Sequence, residues 1–145
     1  MIVALTGNIA AGKSSVVALF RQWGAGIVDA DAVVRDLQRP GTEVFQQIVK
    51  RFGEAVLTPA GELDRAALRR LILEDTRARS DLNAIVHPAV RAQRDTLVAA
   101  ARAAGARIIV ADIPLLFEAA DPAEFDAVVL VDAPESLRFA RLVGE

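Results

Sequence analysis

Apolar positions along the chain follow two patterns. Short apolar runs, several with β-branched members, occur at Ile2–Thr6, in "GIVDAD", in "ARIIVADIP" and in "FDAVVLVDAP". Runs of this kind, bounded by Gly, Pro and Asp, predict short buried strands. The stretches between them carry helical spacing. In "KSSVVALFRQW", Val16, Val17, Leu19, Phe20 and Trp23 fall on or near one side, and Gly24 and Gly26 end the helix. "ADAVVRDLQRPG" is a helix that must stop near Arg39, because Pro40-Gly41 cannot continue it. "TEVFQQIVKRFG" has Thr42 as its N-cap and Gly53 at its end. After the turn region "LTPAGELD" come two amphipathic helices, "DRAALRRLILED" and "SDLNAIVHPAVRAQRDTLVAAARAAG". Pro88 interrupts or kinks the second, and Gly105 ends it. The last helix is "PESLRFARLVGE".

Apolar strands separated by helices predict an α/β fold with a parallel sheet covered on both faces. Residues 34–104 contain no strand, so this block reads as a helical insertion between the second and third strands.

Composition narrows the class. A chain of 145 residues with 53% apolar and 25% charged positions is expected to form one globular domain. A net charge of −2 gives no basic field to attract nucleic acid or a membrane surface. Cysteine is absent, which excludes disulfides, thiolate chemistry and Cys-ligated zinc, and one histidine is too few for a His-based metal site. No apolar run approaches the roughly 18–20 residues that span a bilayer. The N-terminus lacks the basic segment of a signal peptide, and its apolar stretch breaks at Gly7. A cytoplasmic location is expected.

The most specific chemistry lies in "GNIAAGKSS", Gly7 to Ser15. Gly7, Gly12, Lys13 and Ser14 satisfy the G-x-x-x-x-G-K-[ST] phosphate-loop pattern, between a predicted strand and a predicted helix as that pattern requires. The small residues of the loop let successive backbone N–H groups from Gly7 through Asn8, Ile9, Ala10 and Ala11 turn toward a phosphate, and the new helix directs its positive end there. Lys13 is one of the two lysines, Lys50 being the other, in a chain that otherwise takes positive charge from arginine. A compact ammonium suits the β- and γ-phosphates of ATP, where a planar guanidinium substitutes poorly. The Ser14 hydroxyl is placed to ligate Mg²⁺.

Carboxylates close the strands. Asp29 and Asp31 flank Ala30 at the end of the second strand, the side on which open α/β sheets bind ligands. On spacing alone, Asp31 reads equally as a proton acceptor or water-mediated Mg²⁺ holder and as the N-cap of the helix starting near Ala32. Asp112 ends "RIIVAD" in the form of a Walker B acid, which points to a Mg²⁺-side or substrate-side role, although any strand-terminal Asp looks alike. No N-K-x-D segment supports guanine selectivity.

In order and spacing, "IVALTGNIAAGKS", "VDADAVVRDLQRPG", "LDRAALRRLI", "LNAIVHPAV", "DIPLLFE" and "VVLVDAPESLRFARL" resemble the dephospho-CoA kinases over the whole chain. The resemblance implies a P-loop kinase fold with parallel strand order 2-3-1-4-5, a helical acceptor-binding insertion and a mobile lid. It implies transfer of the γ-phosphate of ATP to the 3′-hydroxyl of dephospho-CoA, with Mg²⁺. By the same resemblance Asp31 is the base for that hydroxyl and Asp29 its neighbour, reaching the metal through water. "RPG" and the helices after it form the wall of the acceptor site, to which His87, Pro114, Leu115 and Leu116 also belong; Lys13 acts on the transferring phosphate, as does one of Arg138 and Arg141, Arg141 being preferred. Read from the residues alone, His87 is a helix-kink residue satisfied by local hydrogen bonds, and Leu115, Leu116 and Phe117 are equally core residues. Arg65, Arg69 and Arg70 read as a solvated helix face, with steering of an anionic acceptor as the alternative. Relative to the family, the chain stops where the lid and the fifth strand would follow. Weak turnover, reduced ATP affinity and an open apolar edge at the fourth strand are the expected consequences. "IAAG" also stands where the family often has "IGSG". The competing readings are a fragment that binds ligand without turnover, another P-loop small-molecule or nucleotide kinase, and a switch ATPase.

Overall fold

The computed structural model describes residues 1–144. It divides into two compact units, Met1–Ala30 with Arg94–Glu145, and Asp31–Gln93. In chain order the elements are β1 (Ile2–Gly7), α1 (Lys13–Gln22), β2 (Gly26–Asp29), α2 (Ala30–Leu37), α3 (Glu43–Phe52), α4 (Arg65–Glu74), α5 (Thr76–Ala103), β3 (Ile109–Asp112), α6 (Leu116–Ala119), β4 (Ala127–Val131) and α7 (Glu135–Val143).

The first unit is built on a parallel sheet of order β2-β3-β1-β4, which agrees with the first four positions of the expected order. The register sets Ile2 beside Ile109 and Val3 beside Ala127. On one face of the sheet, Leu5, Val17 and Val110 pack with Val16, Phe20, Ile27, Val129 and Val131. On the other, Ala4, Ala111, Ile113, Leu116 and Phe125 form a second core. Burial on both faces explains the unbroken apolar runs of β1 and β3. β4 is last in the strand order, with Leu130 60% exposed.

The second unit is helical. Val44, Ile48, Val56, Leu68, Leu82 and Val86 form its core. Its helix starts follow local capping. The Thr42 hydroxyl accepts from the Phe45 N–H at 3.2 Å, and the Asp64 carboxylate accepts from the Ala67 N–H at 3.0 Å.

Several elements differ from the sequence reading. α1 buries a narrower stripe than its composition suggests: Trp23 is 73% exposed, set edge-on against Phe20, and Leu19 is exposed too. α2 ends at Leu37, two residues before Arg39. α5 begins at Thr76 and not at Ser80, because the Asp75 carboxylate accepts from the Arg77 and Ala78 N–H groups at 2.8 and 3.2 Å. It also runs through Pro88 without a break. Pro88 and Ala84 both lie on an exposed side, where water can take the hydrogen bond that proline cannot donate. Residues 94–104, read as part of the insertion, belong with the sheet unit. There Arg94 pairs with Glu124 at 2.7 Å and sits 5.1 Å over the Phe125 ring, and Val98 is buried. α6 has no counterpart in the sequence reading. α7 ends at Val143, and Glu145, included in the predicted last helix, lies outside the described residues.

Candidate active site

The phosphate loop leaves β1 at Gly7. A Cβ there would lie 2.5 Å from the Val131 carbonyl oxygen on β4, so the close approach of these strands requires glycine. The chain then turns, with the Ala11 N–H donating to the Asn8 carbonyl at 3.1 Å. Ala10 occupies the third position of this turn at φ 59°, and Gly12 follows at φ 100°. α1 starts immediately, its first bonds running from the Ser15 and Val16 N–H groups to the Gly12 carbonyl. Among the described residues the N–H groups of Gly12, Lys13 and Ser14 form no hydrogen bond within the protein. They are the unsatisfied donors of a helix N-terminus, which an anion can satisfy.

The left-handed backbone at Ala10 is unfavourable for a residue with a Cβ, by roughly 1–2 kcal/mol. The family often has glycine at this position. Ala10→Gly is therefore expected to stabilise the fold by about 0.5–1 kcal/mol, after allowing for the greater unfolded-state entropy of glycine. An upward shift of the urea midpoint would show it; a downward shift would contradict strain at this position.

Charged groups converge on the loop from the strand ends. The Lys13 ammonium pairs with the Asp112 carboxylate at the end of β3, and both side chains are largely shielded. Asp29 is the register partner of Asp112 on the neighbouring strand, so the two acids close adjacent strands at the same edge. The Asn8 side-chain amide donates to Asp132 at 3.3 Å. The Arg141 guanidinium donates to the Ala10 carbonyl at 2.9 Å and would lie 3.4 Å from a Cβ placed on Gly12. The exposed Ser14 side chain stands in the first turn of α1, and Ile9 and Ser15 are exposed beside it. The first unit thus gathers the loop residues, Lys13, Asp29, Asp112 and Arg141. Sequence reasoning left Asp112 ambiguous, because its partner lies 99 residues away.

Asp31 belongs to the second unit. β2 closes on Asp29 alone, and Asp31 sits in the first turn of α2, inside the helix. This corrects its reading as an N-cap. The helix starts at Ala30, earlier than spacing suggests, so Asp31 already has helical neighbours on both sides. His87, in α5, is half-buried, and its ring makes no hydrogen bond among the described residues, contrary to the local satisfaction expected of a kink residue.

The segment after β3 divides. The Pro114 carbonyl accepts from the Thr6 hydroxyl at 3.0 Å, fixing the segment to the end of β1. Leu115 is 65% exposed, as is Phe117, whereas Leu116 is 0% exposed in the core with Ala4 and Phe125. Leu116 thus takes the core position that the sequence reading held as its alternative, because the α6 turn rotates it inward. Leu116→Ala is expected to cost about 2–5 kcal/mol of stability. Leu115→Ala should change it by no more than about 0.5 kcal/mol. Denaturant unfolding of the pair checks the division, and equal losses would contradict it.

Residues 1–145 match the family model described as Dephospho-CoA kinase. The dephospho-CoA kinase of Symbiobacterium thermophilum is 46% identical over 99% of this chain and 60% of its own length, and that of Moorella thermoacetica is 45% identical over 99% and 68%. The chain therefore spans about two thirds or less of these relatives. Among solved structures, TT1252 from Thermus thermophilus superposes with a TM-score of 0.81 at 36% identity, over 100% of this chain and 72% of that one. Dephospho-CoA kinase from Campylobacter jejuni shares the fold, with a TM-score of 0.72 at 21% identity over 99% and 72%. With a P-loop at the head of a 2-3-1-4 parallel sheet and a family match from end to end, the chain belongs to the dephospho-CoA kinase family.

Proposed function

We propose that this chain carries out the reaction of its family, transfer of the γ-phosphate of ATP to the 3′-hydroxyl of dephospho-CoA. The observation that carries the reading is the turn of unpaired N–H groups at Gly12, Lys13 and Ser14, with the Lys13 ammonium held at its rim by Asp112. Such a loop binds a polyphosphate through backbone dipoles and one compact cation.

In this reading ATP enters with its phosphates on the loop, and the Lys13 ammonium exchanges Asp112 for the β- and γ-phosphates. Arg141, already on the Ala10 carbonyl, adds positive charge that offsets the charge gathering on the transferring oxygens. Asp31 accepts the proton of the 3′-hydroxyl as that oxygen attacks. The bond from the bridging oxygen to the γ-phosphorus breaks, and ADP leaves. His87, Pro114 and Leu115 contribute to holding the acceptor.

The donors suit Mg²⁺, a hard cation that prefers oxygen: the Ser14 hydroxyl, with Asp29 or Asp31 reaching it through water. Among the described residues no cluster of three or more acidic or histidine side chains forms a metal cage. An ion there would be held by these protein oxygens together with the substrate phosphates. When bound, it would neutralise phosphate charge.

Acceptor competition tests the reading against other kinases of the P-loop class. With labelled MgATP and equal amounts of dephospho-CoA and AMP, label is expected in CoA. Label in ADP formed from AMP would identify a nucleotide kinase instead.

A further inference from the structure

Three contacts tie the phosphate loop to one neighbour, the segment made by β4 and α7, all within the first unit. Gly7 and Val131 are the final pair of the β1–β4 register, and a Cβ on Gly7 would lie 2.5 Å from the Val131 carbonyl oxygen. One residue further on, the backbone ladder has stopped. There the Asn8 side-chain amide donates to the Asp132 carboxylate at 3.3 Å. Two residues beyond Asn8, the Ala10 carbonyl accepts from the Arg141 guanidinium at 2.9 Å. The Asn8–Asp132 pair thus extends the pairing of the two strands by one residue into the loop.

The loop needs support from outside itself. Ala10 is held at φ 59° and Gly12 at φ 100°, and the turn between Asn8 and Ala11 is closed by one 3.1 Å hydrogen bond. A residue with a Cβ stays in the left-handed region only where its surroundings over-determine it. Asn8 opens this turn, so fixing its side chain fixes the turn's entry. Asp132 is itself offered from a stiff connection. The Arg138 Nε donates to the Ala133 carbonyl at 3.0 Å, the Arg138 N–H donates to the Pro134 carbonyl at 3.0 Å, and Pro134 at φ −51° leads into α7. A carboxylate beside an anion-binding loop repels phosphate. What Asp132 gives the loop is a hydrogen-bond acceptor, not an attraction for the ligand.

We propose that Asp132 is a positioning residue for nucleotide binding. Acting through Asn8, it holds the loop in the conformation that presents the Gly12, Lys13 and Ser14 N–H groups to the phosphates of ATP. The inference rests on the reading of this loop as the ATP site and adds the group that sets its shape before the nucleotide arrives. Without the contact the loop spends part of its time in other conformations, and apparent affinity falls by the fraction lost.

Calorimetric titration with MgATP and with dephospho-CoA tests this. Asp132→Ala and Asn8→Ala should each weaken MgATP binding by about three- to fivefold, the range of one solvent-exposed hydrogen bond, and leave dephospho-CoA binding unchanged. The double variant should lose no more than either single one, because both remove the same contact. Asp132→Asn keeps an acceptor oxygen and sheds the repelling charge, so it should bind MgATP at least as tightly as the unaltered chain. If Asp132→Ala fails to fold, Asn8→Ala and Asp132→Asn carry the test. Undiminished MgATP binding by the alanine variants, or losses that add in the double variant, would overturn the inference. So would an equal fall in dephospho-CoA affinity, which marks a general effect on the fold. A loss in Asp132→Asn as large as in Asp132→Ala would overturn it too, since the charge itself would then be what acts. All of these leave the kinase reading standing. An unaltered chain that binds no MgATP would overturn both.

Discussion

Lys13→Ala is expected to lower phosphate transfer from ATP by roughly 10²–10³-fold without unfolding the protein. Lys13 opens α1 at the point where Gly12 and Ser14 leave their N–H groups unpaired, and its ammonium already sits at the strand ends on Asp112. Phosphate oxygens are stronger partners than one carboxylate, so nucleotide binding should draw the ammonium off Asp112. Losing it removes a mobile cation that can follow the γ-phosphate as charge develops. The structural effect should be moderate. Asp112 loses its partner in a largely shielded position, at a cost of about 1–3 kcal/mol, which lowers stability without abolishing the fold. Lys13→Arg should recover little activity, because a planar fork on a longer stem does not reproduce the geometry of a point charge. Circular dichroism, thermal unfolding and transfer rate, measured together, separate these effects. Unfolding of Lys13→Ala in step with its loss of activity would make the lysine structural.

Asp31→Asn is the second large effect, an expected fall in transfer of about 10²–10⁴-fold with substrate affinities close to normal. The substitution keeps shape and removes the proton acceptor. A purely structural role for Asp31 predicts something different. In the first turn of α2, its negative charge interacts favourably with the helix dipole, worth about 0.3–1 kcal/mol. Loss of that term alone would lower the melting temperature slightly and leave turnover intact. Stability and rate measured on one variant therefore distinguish the base from the helix-end charge.

How far the sequence could be read depended on the range of the interactions. The phosphate loop was legible because its parts are contiguous: a strand, two glycines in fixed spacing and a helix start. The four-strand order was legible through the resemblance, and the apolar runs of β1 and β3 announced their burial directly. Lys13–Asp112, Thr6–Pro114 and Arg141–Ala10 join residues about a hundred or more positions apart, and no local pattern signals them. A threonine ending an otherwise apolar strand was the one available hint, since Thr6 is buried and needs a partner. Leu115, Leu116 and Phe117 are chemically alike in sequence. Only the short α6 turn decides that the middle one enters the core.

The most direct measurement of the central claim is transfer of labelled γ-phosphate from MgATP to dephospho-CoA by this chain, beside Lys13→Ala and Asp31→Asn. The prediction is label on the 3′-oxygen of CoA with the unaltered chain, and little with either variant. A folded chain that binds both substrates yet places no label on dephospho-CoA would contradict it.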